Sequence, residues 1–132
     1  MDKDQSKLAT LPDLFPLVFP PLMGASGEEY SFYFSCGEGW YTILYEMAEK
    51  LTPIIRAYLK KYPESSASIH DIKEKYGTLS IHYTGPVEMD KIISVAEDQS
   101  AEICEICGKR GSLRGKSWYY VACYSHTKVR DR

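Results

Sequence analysis

Apolar residues recur at intervals of three and four from Trp40 onward: Trp40, Leu44, Met47, Leu51, Ile54, Ile55, Tyr58 and Tyr62. That spacing places them on one face of an amphipathic helix. Glu46, Glu49, Lys50, Arg56, Lys60 and Lys61 take the other face, acids early and bases late, as the helix dipole favours. Pro63 ends the element. Pro53 interrupts it in one of two ways: it kinks one helix, or Thr52 caps a second helix with Pro53 at its first position. A second helical pattern runs from about Val87 to Ile103, with Met89, Ile92, Ile93, Ala96, Ala101 and Ile103 toward the core. Elsewhere the period is two. Tyr30, Phe32 and Phe34 alternate with polar or smaller neighbours, which predicts a strand over 30–35. Residues 68–76 and 78–84 read as two further strands, reversing at Gly77.

Before these elements the pattern is irregular. Residues 1–10 read as a frayed tail. Residues 11–25 are rich in leucine, phenylalanine and valine but contain Pro12, Pro16, Pro20 and Pro21. The prolines predict an extended, non-helical arm. It either packs across the body or docks on a partner. The predicted fold is α+β: a small antiparallel sheet packed by two helices, with a treble-clef-like zinc finger at the C-terminus. The divisions are 1–25 for tail and arm, 26–103 for the α+β body, and 104–132 for the finger.

The 132 residues suit one compact domain with a small appended module, and 44% hydrophobic with 26% charged residues points to a globular chain. No signal or membrane helix is evident, because prolines break the early apolar run. The expectation is a cytoplasmic protein with no membrane partner, in which cysteines serve as metal ligands or free thiols. Charge is uneven. Residues 1–100 hold 9 Lys and Arg against 15 Asp and Glu, a net −6, whereas residues 101–132 hold 7 against 3, a net +4.

The basic end also carries the clearest chemistry. Cys104-x2-Cys107 is followed after fifteen residues by Cys123-x2-His126. Two close pairs of sulfur and nitrogen donors suit tetrahedral zinc, and four protein ligands leave no open position, so a structural ion is expected. Gly108 permits the tight turn of a zinc knuckle. A hairpin of 112–114 and 117–122, turning at Gly115-Lys116, returns Cys123 to the knuckle. A short final helix from Cys123 to about Val129 carries the last two ligands.

Other chemistry is thinner. Cys36 reads as an ordinary half-buried thiol, a spare ligand or a reactive group. His70 and His82 read as surface strand residues. His70 and Asp71 point to opposite faces, which weakens a catalytic pair. There is no deaminase pattern, no His-Glu-x-x-His and no Gly-x-Ser-x-Gly. No catalytic residue is assigned, and an enzyme is not expected.

Gly39-Trp40, Ile72 to Leu79 (IKEKYGTL), Cys104-Glu105-Ile106-Cys107-Gly108, Leu113-Arg114, Trp118 and Cys123-x2-His126 together resemble a group of small, uncharacterised bacterial and prophage-encoded proteins. These share a GW…KEKYG-x-L…C-x-x-C-G…LR…W…C-x-x-H pattern. The resemblance spans about residues 37–126. It implies a phage or mobile-element setting and the same metal site, and it implies no activity. Two roles compete. One is a protein-binding adaptor or inhibitor with an acidic, tyrosine-rich body. The other is nucleic-acid binding, with Lys109, Arg110, Arg114, Lys116, Lys128, Arg130 and Arg132 on phosphates and Trp118, Tyr119 and Tyr120 stacking on bases. A sequence pI near 5.9 weighs against the second.

Overall fold

The computed structural model describes residues 6–132. Residues 1–5 of the expected tail lie outside the described residues. The remainder of that segment is not frayed. Glu38 accepts from the Lys7 and Leu8 amides at 2.9 and 3.1 Å and from the Ser6 hydroxyl at 2.6 Å. These bonds hold a 3-10 turn over Leu8–Thr10 and bury Leu8. The turn runs directly into helix α1, Leu11–Leu14. The expectation of a non-helical arm is therefore corrected for its first turn. Pro12 sits where a helix needs no backbone donor, and its fixed φ already suits the helix.

The arm packs against its own chain. Leu11, Val18 and Phe19 are buried, and the Ile69 amide donates to the Val18 carbonyl at 2.9 Å. Strands β1, Leu22–Met23, and β2, Glu29–Tyr30, form a two-residue antiparallel ladder. Strand β3 is only Phe34–Ser35. The expected continuous strand over 30–35 is thus two separate pieces. Phe32 and Phe34 are held by burial rather than by a long ladder, with the Phe19, Phe32 and Phe34 rings 5.0 to 5.3 Å apart.

Helix α2 spans Tyr41–Lys61 without a break, entered from a 3-10 turn at Glu38–Trp40. Pro53 lies inside it. The Thr52 hydroxyl donates back to the Ala48 carbonyl at 2.8 Å and caps no second helix. One helix survives its proline because the apolar face is heavily buried: Ile43, Leu44, Met47, Ala48, Leu51 and Ile55 all lie in the core. Burying each large aliphatic side chain stabilises by roughly 1.5–3 kcal/mol, and together they exceed the ~3 kcal/mol that an interior proline costs.

Strands β4, Ser68–Lys75, and β5, Thr78–Thr84, form the expected antiparallel hairpin. Tyr76 and Gly77 occupy its two-residue turn with φ of 53° and 94°. Two positive φ values in succession fit the right-handed twist of a hairpin. The sheet order is β3-β4-β5, and β3 pairs with β4 in parallel. The sheet is therefore mixed, correcting the antiparallel expectation. The α2 crossover brings the chain back to lay β4 beside β3 in the same direction.

Helix α3, Glu88–Ser100, covers the edge of β5. The Leu79 amide donates to the Ser100 hydroxyl at 2.9 Å, and the Ile81 amide donates to the Glu97 carboxylate at 3.0 Å. Helix side chains thus satisfy donors that an open sheet edge would expose. The fold is α+β, with its core between α2, α3 and the sheet. The end of α3 delivers the chain to the first cysteine pair.

Candidate metal centre

Past α3 the chain folds into a tight knuckle. The Cys104 amide donates to the Lys109 carbonyl at 2.7 Å, and the Gly108 amide donates to the Cys104 carbonyl at 2.9 Å. Gly108 has φ of 80°, a backbone state that residues with a Cβ seldom adopt. Strands β6, Ser112–Arg114, and β7, Tyr120–Ala122, pair antiparallel and carry the chain back. A 3-10 turn at Tyr124–His126 then aims the last ligand inward. The expected helix over 123–129 is absent from this stretch. Two 3-10 turns replace it, the second at Val129–Asp131. Thr127 turns to extended backbone (φ −71°, ψ 132°) and ends the first turn after three residues, while its hydroxyl donates to the Cys123 carbonyl at 2.8 Å.

These elements gather Cys104, Cys107, Cys123 and His126. One donor atom from each lies within 4.8 Å of all the others, and no other metal-competent group of three or more His, Cys, Asp or Glu occurs among the described residues. Cys107 Sγ and Cys123 Sγ are 3.7 Å apart. His126 Nδ1 is 3.6 Å from Cys104 Sγ and 3.3 Å from Cys123 Sγ. Zinc–sulfur bonds of about 2.3 Å and zinc–nitrogen bonds of about 2.0 Å, at tetrahedral angles, give edges of about 3.8 Å and about 3.5 Å. The observed edges fall close to that figure. The sulfur separation is far beyond a disulfide.

The electrostatics suit a cation. Burial opposes ionisation of Cys104, but amides of Cys123, Cys107 and Ile106 outweigh it and bring the thiol down to about 6. Burial likewise opposes ionisation of Cys123, and bonds from the His126 amide and ring draw it down. Cys107 takes the Lys109 amide, yet desolvation and the neighbouring thiols push it up. His126 is raised by its bonds to Cys123 and Cys104. Neighbouring thiolates resist ionising together, and a divalent cation among them removes that conflict.

The knuckle is joined closely to the body. The Gly39 amide donates to the Glu105 carbonyl at 2.7 Å, and the Gly37 amide donates to the Glu105 carboxylate at 2.8 Å. The fully buried Trp40 donates its indole N–H to the Ile103 carbonyl at 2.9 Å. A Cβ built on Gly39 would lie 2.1 Å from the Cys104 carbonyl oxygen. Only a glycine admits so close an approach of two backbones. Gly37, Gly39, Trp40 and Glu105 are the positioning residues that local sequence spacing does not reveal.

The remaining expected residues divide. Lys109, Lys116, Trp118 and Tyr119 are exposed, and Arg110 pairs with Glu102 at 3.2 Å. Arg114 is half-buried, its Nε donating to the Ala122 carbonyl at 3.1 Å. Tyr120 is committed internally: its hydroxyl donates to Asp131 and its ring lies beneath the Lys128 ammonium. Cys36 stands outside the cluster. Burial first, then Glu105 and Glu38, push its thiol up to about 12. His82 meets Asp71 at 3.7 Å on the exposed face of the sheet, and His70 bonds Thr84. Among the described residues, no helix is long and apolar enough to cross a membrane. No family model matches the chain, and no curated protein or solved structure is significantly similar to it.

Proposed function

We propose that this chain is a small zinc-stabilised binding protein of the adaptor or inhibitor type, acting on another protein in the cytoplasm of a bacterial host in a phage or mobile-element setting. Zinc is held by Cys104, Cys107, Cys123 and His126 in a closed structural site. The finger is treble-clef-like: knuckle, hairpin, then a last ligand pair on a 3-10 turn in place of the usual helix. Bound there, zinc supplies binding free energy that becomes folding free energy for the C-terminal module.

One observation carries this reading. The four donor atoms gather within 4.8 Å of one another, while the module around them leaves Ile106, Leu113, Trp118 and Tyr124 exposed. Large apolar side chains displayed on a rigid support are a common basis for protein contact, and tryptophan is enriched among the residues that dominate such interfaces. The setting in phage or mobile elements rests on the sequence resemblance alone.

Metal analysis of the purified chain tests the site, with one zinc per chain expected. Affinity capture from a bacterial host, followed by mass spectrometry and nucleic-acid staining, tests the role. Recovery of a protein that Trp118→Ser no longer retains supports it. Recovery of nucleic acid without protein overturns it. That outcome would favour the second reading, nucleic-acid binding, whose particular support is a cleft lined by Arg114, Lys116, Arg130 and Arg132, with an exposed Trp118 in the same hairpin. Affinity for short DNA or RNA that stays absent at low salt would remove the second reading.

A further inference from the structure

The tip of the β4–β5 hairpin rests on the β6–β7 hairpin. A Cβ built on Gly77 would lie 2.7 Å from Leu113 Cδ1 and 3.1 Å from the backbone of Tyr119 and Tyr120. Body and metal module therefore share one surface at this seam. Tyr76 is 76% exposed there, Leu113 51% and Trp118 67%. These are large apolar groups left at the surface of a chain that buries its other tryptophan completely.

Beside them lies a cleft of about 290 Å³ lined by Leu113, Arg114, Lys116, Arg130, Asp131 and Arg132. Its one acidic side chain is engaged. Asp131 accepts from the Tyr120 hydroxyl and lies 3.8 Å from Arg130 Nε. At the hairpin tip, Glu74 is likewise engaged by the Gly77 amide at 2.7 Å. Arg114 donates its Nε to the Ala122 carbonyl at 3.1 Å and lines the cleft. The net character of the cleft is cationic, and it adjoins the apolar patch through Leu113.

We infer that Tyr76, Leu113 and Trp118, together with the cleft of Arg114, Lys116 and Arg132, form a docking surface for an acidic peptide segment that carries an apolar anchor. Carboxylates of the segment enter the cleft, where an arginine fork and two further cations meet them. The anchor lies on Trp118 and Leu113. Three observations select a peptide over a nucleic-acid strand. The cleft holds one or two side chains rather than an extended backbone. The apolar member of the cleft lining is Leu113, an aliphatic side chain, where a stacking platform would need a ring. Residues 1–100 carry a net −6, which repels a long polyanion beyond the cleft.

This inference rests on the protein-binding reading and assigns its surface. The experiment is selection of a displayed random dodecamer library on the full zinc-loaded chain, with synthetic copies of the enriched peptides measured by fluorescence anisotropy. Enriched peptides should contain clustered Asp or Glu beside Leu, Phe, Met or Trp. Lys116→Glu and Trp118→Ser should each weaken them by about tenfold or more while zinc content and melting temperature stay at wild-type values. Lys116 is exposed and has no hydrogen-bond or ion-pair partner among the described residues, so its variant remains informative if Trp118→Ser folds poorly. Failure to enrich acidic peptides, or binding unchanged in both variants, overturns the inference. Tighter binding of a single-stranded oligonucleotide, lost in the same variants, also overturns it. A host protein captured equally by wild type and Lys116→Glu would sink this surface and leave the protein-binding role intact.

Discussion

Gly39→Ala tests how far the metal centre depends on the body. The added methyl carbon would sit 2.1 Å from the Cys104 carbonyl oxygen and 2.5 Å from the Glu105 carbonyl carbon. Both neighbours are backbone, so no side chain can swing aside. The knuckle must retreat by about 1.3 Å to bring the 2.1 Å approach to ordinary contact. Overpacking of this kind costs about 1–3 kcal/mol, and losing the bond from the Gly39 amide to Glu105 adds about 0.5–1.5 kcal/mol. A total near 3 kcal/mol corresponds to on the order of 100-fold weaker zinc binding, if the strain falls on the metal-loaded form. Competition against a chromophoric chelator at neutral pH measures that affinity, and circular dichroism gives the melting temperature. Gly27→Ala is the control. Its position has open space around it but φ of 86°, so it should lose about 1 kcal/mol of stability with zinc affinity unchanged. Wild-type zinc affinity in Gly39→Ala would refute the coupling.

Cys107→Ser should remove most of the zinc, whereas Cys36→Ser should keep a full complement; equal loss in both would mean the ligands are misassigned. Cys36 should react slowly with a disulfide reagent at neutral pH and faster as pH climbs toward about 12. Because its folded value lies above the ordinary 9.0, its contribution to stability is complete below about 9 and is lost as pH rises from there toward about 12, which alkaline melting curves would detect. Chelation of the metal should raise amide hydrogen exchange at 104–126 and also at Gly37 and Gly39, whose amides donate to Glu105. Protection retained at the two glycines in the chelated protein would show that the knuckle keeps its place without metal.

What could be read from sequence was local. The 68–84 hairpin follows from alternation and from Gly77, because strand period and turn type are encoded within a few residues. The long helix follows from its apolar stripe, and only burial along that stripe decides what happens at Pro53. The cysteine and histidine pairs are visible because close-spaced ligands imply their own geometry. The rest depends on distant partners. Glu38 organises residues 6–8 across about thirty positions of chain, so a segment that looks like a tail is ordered. The parallel placement of β3 is set by the crossover through α2, which no two-residue strand encodes. Gly39 matters because of a backbone more than sixty positions away. The final 3-10 turns depend on extended backbone at Thr127 and Lys128, which no local pattern marks.

The chain has two tryptophans at opposite extremes of exposure: Trp40, sealed against the knuckle, and Trp118, open at the seam. Their emission should separate by colour, with a blue component that dissolved quenchers cannot reach and a red component that they extinguish readily. The first reports the state of the metal centre from within, and the second reports arrivals at the surface. The native chain therefore carries two optical probes for its two ends of interest, with no label added.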